Sequence, residues 1–447
     1  MNKTSSEMNV SHEPSGAAGR PARRPPAHAP ARVSTLRNKV RLHASFVPGR
    51  YQPRNAVEQV GLLEDPLEYL KRRRLPGNAW FERGRRFAIM GDPLADDFAA
   101  LYAKLGHARA RAMLDTALER GIEHVPDAPD ALKALFAELD HPPRWVSWDR
   151  IERGAAVMRR YANLSWLFLR LAFAQTYVNA NAGTPLYMTG SLSEKTVARR
   201  LKETSKWRLE LHQEGGLRRF GPAFKTTVRV RVLHSIVRLH LLNDSRWDVK
   251  MLGMPIPQTD MAGANIGMFL THSLLLRLIG ARITRDELRD VMHLWRYHGH
   301  VIGVADELNP RSGKHLNEIG KLITLTTRQR FDPRAKTLTR ATLNTRLRAG
   351  ESWLERALDA IDVHASHAFY YLANGKKLYE QMGLDDSRRW LWFPLVIFPW
   401  VFAADSLRRL VPGGTRVAEE LGRRYIESVL GEREVKNAPF KPYHMVA

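Results

Sequence analysis

One unbroken stretch does most to limit the fold. From Pro222 to Leu242 the chain reads PAFKTTVRVRVLHSIVRLHLL, with no glycine or proline after its first residue. Its middle, Thr227 to Leu233, alternates apolar and polar residues as a half-buried strand would. The whole stretch is long for a strand and ordinary for a helix, so it is read as helix. Apolar residues recur at three- and four-residue intervals in 96–118, 148–179, 351–381 and 417–430 as well. Ser191-x-x-Glu194 and Thr284-x-x-Glu287 have the spacing of capping boxes. They predict one helix reaching to about Gln213 and another through Trp295 to about Val304. Strand signals are otherwise nearly missing, and no repeat of solenoid period is present. The expectation is an all-α fold.

The domain plan follows from composition. Residues 1–54 are rich in Pro, Ala, Ser and Arg and poor in aromatics, which predicts a disordered basic tail. Residues 55–447 are expected to form a single large helical domain, since 44% hydrophobic residues suffice for a sizeable core. Cysteine is absent, which excludes zinc fingers, iron–sulfur clusters, cysteine nucleophiles and thiolate-ligated haem. The formal charge of +24 is partly the tail, where residues 1–55 carry ten Lys or Arg against two Glu. The rest is dispersed arginine, read as a solvated basic face with affinity for anionic surfaces, membrane headgroups included.

No apolar core of a secretory signal appears near Met1. The longest apolar run, WLWFPLVIFPWVFAA at 390–404, is shorter than the roughly 20 residues that span a bilayer and holds Pro394 and Pro399. It is read as a kinked, buried core helix. Contact with a membrane surface or the lining of a substrate channel is the alternative. The chain is accordingly expected to be cytoplasmic, with peripheral membrane contact as an option.

With Thr226 to His240 as a helix, the neighbours of His234 one turn away are Val230, Arg231, Val237 and Arg238. An imidazole between valines, with a guanidinium on either side, meets three needs of a haem: a ligand for iron, apolar walls for the porphyrin and cations for its propionates. A polar stripe on an amphipathic helix with a satisfied histidine explains the same residues. On the preceding helix Arg200 and Thr204 share a face, a pairing able to hold an oxygen species by charge and hydrogen bond. His298 and His300 point to different faces, and His364 and His367 lack the Glu-x-x-His pattern of a di-iron bundle.

Taken in order, several segments resemble the haem-b-dependent oxygenase family of latex clearing protein (rubber oxygenase) and the MpaB-type oxygenases. They are Arg200-x-x-x-Thr204, then Val230-Arg231-Val-Leu-His234-Ser-Ile-Val237-Arg238, then Gly253-Met-Pro-Ile-Pro-Gln258-Thr-Asp260, then Met268-Phe-Leu, and Leu294-Trp-Arg-Tyr-His298-Gly-His300-Val-Ile-Gly303. The resemblance covers roughly residues 150–310. It implies a globin-like haem-binding core, haem b with His234 as proximal iron ligand, and O2 as co-substrate. It further implies Arg200 and Thr204 on the oxygen side and Arg231 and Arg238 flanking the ligand. The implied activity is oxidation, by C=C cleavage, of a lipophilic isoprenoid-like small molecule or polymer. Two departures stand out. Glu203 occupies the place of a lysine in the rubber-cleaving members, and Asn181, Thr184 and Pro185 stand where those members carry a glutamate. A haem-binding sensor or carrier without turnover is the alternative function. A basic nucleic-acid-binding protein is a third, supported by charge alone and by no recognised motif, so no specific nucleic-acid partner is expected.

Overall fold

Helix follows helix through the chain, and no strand occurs among the described residues, so the all-α expectation holds. The computed structural model describes residues 84, 86–164, 166–178, 180–189, 196–327, 333–346, 352–384 and 390–431. The expected tail at 1–54 and the Ser191-x-x-Glu194 box lie outside them. Helices α1 (Pro93–Ala99), α2 (Tyr102–Leu105), α3 (His107–Arg120) and α4 (Asp130–Leu139) lead into α5 (Trp148–Arg160), α6 (Trp166–Val178) and α7 (Ala180–Met188). A hairpin of α8 (Val197–Leu211) and α9 (Pro222–Asn243) follows, then the single turn α10 (Val249–Leu252), α11 (Gln258–Leu278) and α12 (Arg285–Val301). The remainder is α13 (Gly313–Thr327), α14 (Pro333–Asn344), α15 (Trp353–Gln381), α16 (Phe393–Leu410) and α17 (Gly414–Gly431).

The alternating Thr227–Leu233 stretch is indeed helical, with Pro222 at the first turn of α9, where its missing N–H costs nothing. The Thr284 box is present as well. Thr284 Oγ1 accepts from the Glu287 amide at 3.1 Å, and Glu287 Oε2 accepts from the Thr284 amide at 2.7 Å. Elsewhere the periodic stretches are cut into shorter pieces than their pattern suggests. The 96–118 run breaks at Gly106, whose φ of +81° no helix accommodates. The 148–179 run breaks at Tyr161, with φ −111° and ψ 19°, and α15 bends at Gly375 with φ +76°.

A large apolar core joins α1 to α6 with α8, α9, α11, α12 and α15; Phe98, Phe136, Phe224, Trp295 and Phe369 are fully enclosed in it. α5 packs closely along α12. Gly154 makes this possible, because a Cβ there would lie 2.5 Å from the Asp290 carbonyl oxygen. The expected burial of residues 390–404 is overturned. α16 lies on the surface with Leu395 and Trp400 each 75% exposed, and only Pro394 and Asp405 of the helix are buried. Its base is fixed by polar anchors: Asp405 accepts from the Tyr161 hydroxyl at 3.0 Å, the Arg282 amide at 2.6 Å and Arg408 at 2.6 Å. Among the described residues no helix is long and apolar enough to cross a membrane.

Candidate haem-binding site

The α8–α9 hairpin sets the geometry of the site. Two cross-links fix its register: Trp207 Nε1 donates to Thr227 Oγ1 at 3.0 Å, and Thr226 Oγ1 donates to Glu210 Oε2 at 2.8 Å. The helices run antiparallel with equal rise per residue, so the same register brings Arg200 level with His234 and Thr204 level with Val230. Electrostatics agree. The positive charge of Arg200 is near enough to His234 to depress its pKa. The sequence separated these residues by a full hairpin, and the fold reunites them.

His234 lies deep in the molecule, yet the residue is not fully enclosed. Burial first, then the charges of Arg238 and Arg200, lower its pKa to about 4, so the imidazole is neutral at physiological pH. Nδ1 is buried without a hydrogen-bond partner, and no contact within the described residues engages Nε2. The Thr204 hydroxyl is half-buried and likewise unengaged among the described residues. Arg200 is oriented by Glu203, whose Oε2 accepts from its Nη1 at 3.0 Å; Glu203 is itself buried and also lies 3.5 Å from Arg199. The departure at Glu203 thus has a visible role: it holds the arginine beside it.

Val230 and Val237 are half-buried, as His234 is, and belong to the same side of α9. Arg231 and Arg238 are different. At 3.6 residues per turn, Val230 and Val237 fall about 40–60° to one side of His234 and the two arginines about 40–60° to the other. The arginine side is buried against α1 and α4. Arg231 reaches Asp92 through Nε at 2.6 Å and Nη2 at 3.0 Å, and Glu138 through Nη1 at 2.8 Å. Arg238 pairs with Asp96 and donates to the carbonyls of Pro255 at 3.1 Å and Ile256 at 2.8 Å. Burial alone would lower the pKa of Arg231, but Asp92 and Glu138 more than offset it and hold the charge firmly. The expectation of rim cations is corrected here, because carboxylates of the chain itself occupy both guanidinium groups.

Sequence reasoning missed those carboxylates. Asp92 caps α1, accepting from the Ala95 amide, and Pro93 follows it at the first turn. An Asp-Pro helix start with a second Asp four residues later was the available signal. The downstream segments serve the same construction. Gln258 bridges the carbonyls of Gly91 and Gly303, each at 2.9 Å, and accepts from the Ala305 amide at 2.8 Å. Asn265 donates to the Trp295 carbonyl at 3.0 Å and contacts His298 Nδ1 at 2.7 Å. Gly303, at φ +85°, leaves the space that the Asp92–Arg231 pair fills. His298 is driven down to about 3 by burial, which keeps it neutral.

Residues 158–404 match the family described as ER-bound oxygenase mpaB/B'/Rubber oxygenase, catalytic domain. The chain belongs to this family. The rubber oxygenase of Streptomyces sp. (strain K30) is 23% identical over 208 residues, which are 44% of this chain and 48% of that protein. The chain therefore spans about half the length of the curated relative it matches. Latex clearing protein in its closed state shares the fold, with a TM-score of 0.58 and 18% identity, covering 76% of this chain and 90% of that one. Arg200, Thr204 and the whole of α9 lie inside the family span, whereas Asp92, Asp96 and Glu138 lie upstream of it. The catalytic-domain helix at the centre is thus held in place by carboxylates outside the family match.

The residues present suit a haem. Among the described residues no three His, Asp or Glu side chains converge on one point. A single neutral imidazole is the one protein donor that a porphyrin-held iron would need, because the macrocycle itself would supply four nitrogen donors. His234 offers an unengaged ring in a setting of half-buried Val230 and Val237, and Arg200 is level with it across the hairpin.

Proposed function

We propose that this chain is a haem-b-dependent oxygenase that uses O2 to oxidise a lipophilic, unsaturated substrate of the isoprenoid kind. The observation that carries the reading is the unengaged neutral imidazole of His234 facing Arg200 across the α8–α9 hairpin. The family match supports oxygenase chemistry, and the likeness to the Streptomyces rubber oxygenase supports rubber-like polymers or their fragments as the substrate class.

In this reading His234 is the proximal ligand, and Val230 and Val237 form an apolar wall beside it. Bound haem would supply an iron centre at which oxygen is activated. The chain's own contributions are electrostatic and positional. The Arg200 guanidinium, steadied by Glu203, presents positive charge where negative charge develops on oxygen. The Thr204 hydroxyl, one turn away, is free to donate a hydrogen bond toward the same region. Arg231 and Arg238 act through α9 as positioning residues, since their ion pairs with Asp92, Glu138 and Asp96 fix the rotation of the helix that bears His234.

Oxygen uptake with a short cis-polyisoprene as probe tests the activity. Wild-type protein should consume oxygen and release carbonyl products. Arg200→Ala should retain haem and lose activity by roughly a hundredfold, in line with removal of one preorganised stabilising group. Full activity in that variant would remove Arg200 from the site, and haem without uptake of oxygen in wild type would favour a carrier or sensor.

A further inference from the structure

The outer face of α16 is apolar around most of its circumference. Pro394, Ile397, Val401, Asp405 and Arg408, at three- and four-residue spacing, form the narrow stripe turned toward the protein. The remainder faces out, with Leu395 and Trp400 75% exposed, Leu407 61% and Leu410 79%. From Phe393 to Ala404 no side chain carries a charge, and the indole of Trp400 is the one polar group. Exposure on this scale is far beyond the scattered apolar residues of an ordinary surface.

The charges left unpaired next to this face are positive. Arg277, Arg282 and Arg409 line a cleft of about 370 Å³ together with Phe398 and Phe402. Gly280, at φ +104°, lets the end of α11 approach α16; a Cβ there would sit 2.6 Å from the Phe398 carbonyl oxygen. Arg277 is exposed and has no ion pair among the described residues, and Arg282 rests over the Phe402 ring at 5.4 Å. The nearby acids are already neutralised. Asp405 is buried under Arg408, and Glu287 is bound by Arg160 at 2.5 Å and Arg409 at 2.8 Å. An apolar helix beside an arginine-lined cleft matches acyl chains beside anionic headgroups. A second copy docked through the same face would instead set these arginines against its own.

We propose that α16 docks the protein on an anionic phospholipid bilayer. The helix lies in the interface with Val396, Trp400 and Leu407 among the acyl chains, and Arg277 and Arg282 at the cleft receive a lipid phosphate. At 18 residues the helix is about 27 Å long and rests in the plane rather than across it.

The test uses the full chain with equimolar phosphatidylcholine–phosphatidylglycerol vesicles and with phosphatidylcholine vesicles. Wild-type protein should sediment with the anionic vesicles at low salt and less with the neutral ones. Its tryptophan emission should shift to the blue and be quenched by brominated acyl chains. Trp400→Glu combined with Leu407→Glu should weaken binding by roughly a hundredfold, about tenfold per buried side chain lost. Arg277→Glu with Arg282→Glu should abolish the preference for the anionic vesicles while leaving the weaker neutral binding. Both pairs alter exposed side chains, and an unchanged circular dichroism spectrum will show that the fold persists. Failure of wild type to bind either vesicle would overturn the proposal, as would undiminished binding by the Trp400–Leu407 variant. It would equally be overturned by a dimer that this variant dissociates and vesicles leave intact, or by adsorption to a polyisoprene emulsion but not to vesicles.

Discussion

α9 and α16 exchange the places that their side chains suggest. α9 carries four basic residues and two histidines in 22 positions and runs through the interior. α16 holds the longest apolar run of the chain and lies outside. The difference lies in partners. Every guanidinium on the buried side of α9 meets a carboxylate from α1 or α4, so its desolvation is offset by ion pairs and hydrogen bonds. α16 is anchored by a polar base, Asp405 and Arg408, and its apolar majority is left for something outside the molecule. Hydropathy reports what exposure of a segment costs. It does not report whether the protein accepts that cost for a function.

The sharpest way to break this contrast is to remove one half of an α9 ion pair. Arg238→Met should cost about 3–5 kcal/mol in urea unfolding, because Asp96 is left buried and alone. The loss should shrink as the pH falls and the stranded carboxylate takes up a proton. A loss below 1 kcal/mol, on the order of an exposed pair, would show that the arginines do not hold α9. Gly303→Ala should cost about 2–4 kcal/mol, since the new Cβ meets Asp92 and the backbone at φ +85° resists any side chain. Its denaturation midpoint gives the answer directly.

Glu287 ties α16 to α12. Burial alone would raise its pKa, but the Thr284 amide, Arg160 and Arg409 pull it down to about 2. A depressed carboxylate stabilises the fold above its ordinary pKa, and that contribution disappears as pH falls from about 4.5 toward 2. The gap in melting temperature between wild type and Glu287→Gln should therefore be widest near neutral pH and close in that acid window. A gap independent of pH would place the effect in packing rather than charge. The smallest effect belongs to the outer face of α16, where Trp400→Ser should change stability by less than about 0.5 kcal/mol despite removing the largest apolar side chain. A cost of several kcal/mol would mean that Trp400 is enclosed.

Much of the helical plan was legible. α9 starts at Pro222 as expected and ends one residue past Leu242, and the Thr284 box opens α12 where its spacing required. His234, Val230 and Val237 were readable as one side of a helix. The roles of Arg231 and Arg238 were not, because their partners lie 139 and 142 residues upstream and helical spacing carries no information about them. Angular position within α9 distinguishes the arginines from the valines, but only the packing of α1 shows which side is interior. The surface placement of α16 was illegible for a related reason: a run of apolar residues is equally compatible with a core and with a surface made for contact. The register between α8 and α9 also needed the structure, since it depends on the Trp207–Thr227 and Thr226–Glu210 bonds.

The central claim is that His234 holds a haem, and the absorption spectrum of the purified protein tests it most directly. Wild-type protein produced with ample haem should show a Soret band. His234→Ala should lose the band while keeping its helical circular dichroism, and His240→Ala, on the same helix, should retain it. A colourless wild type, or a Soret band unchanged in His234→Ala, would contradict the account.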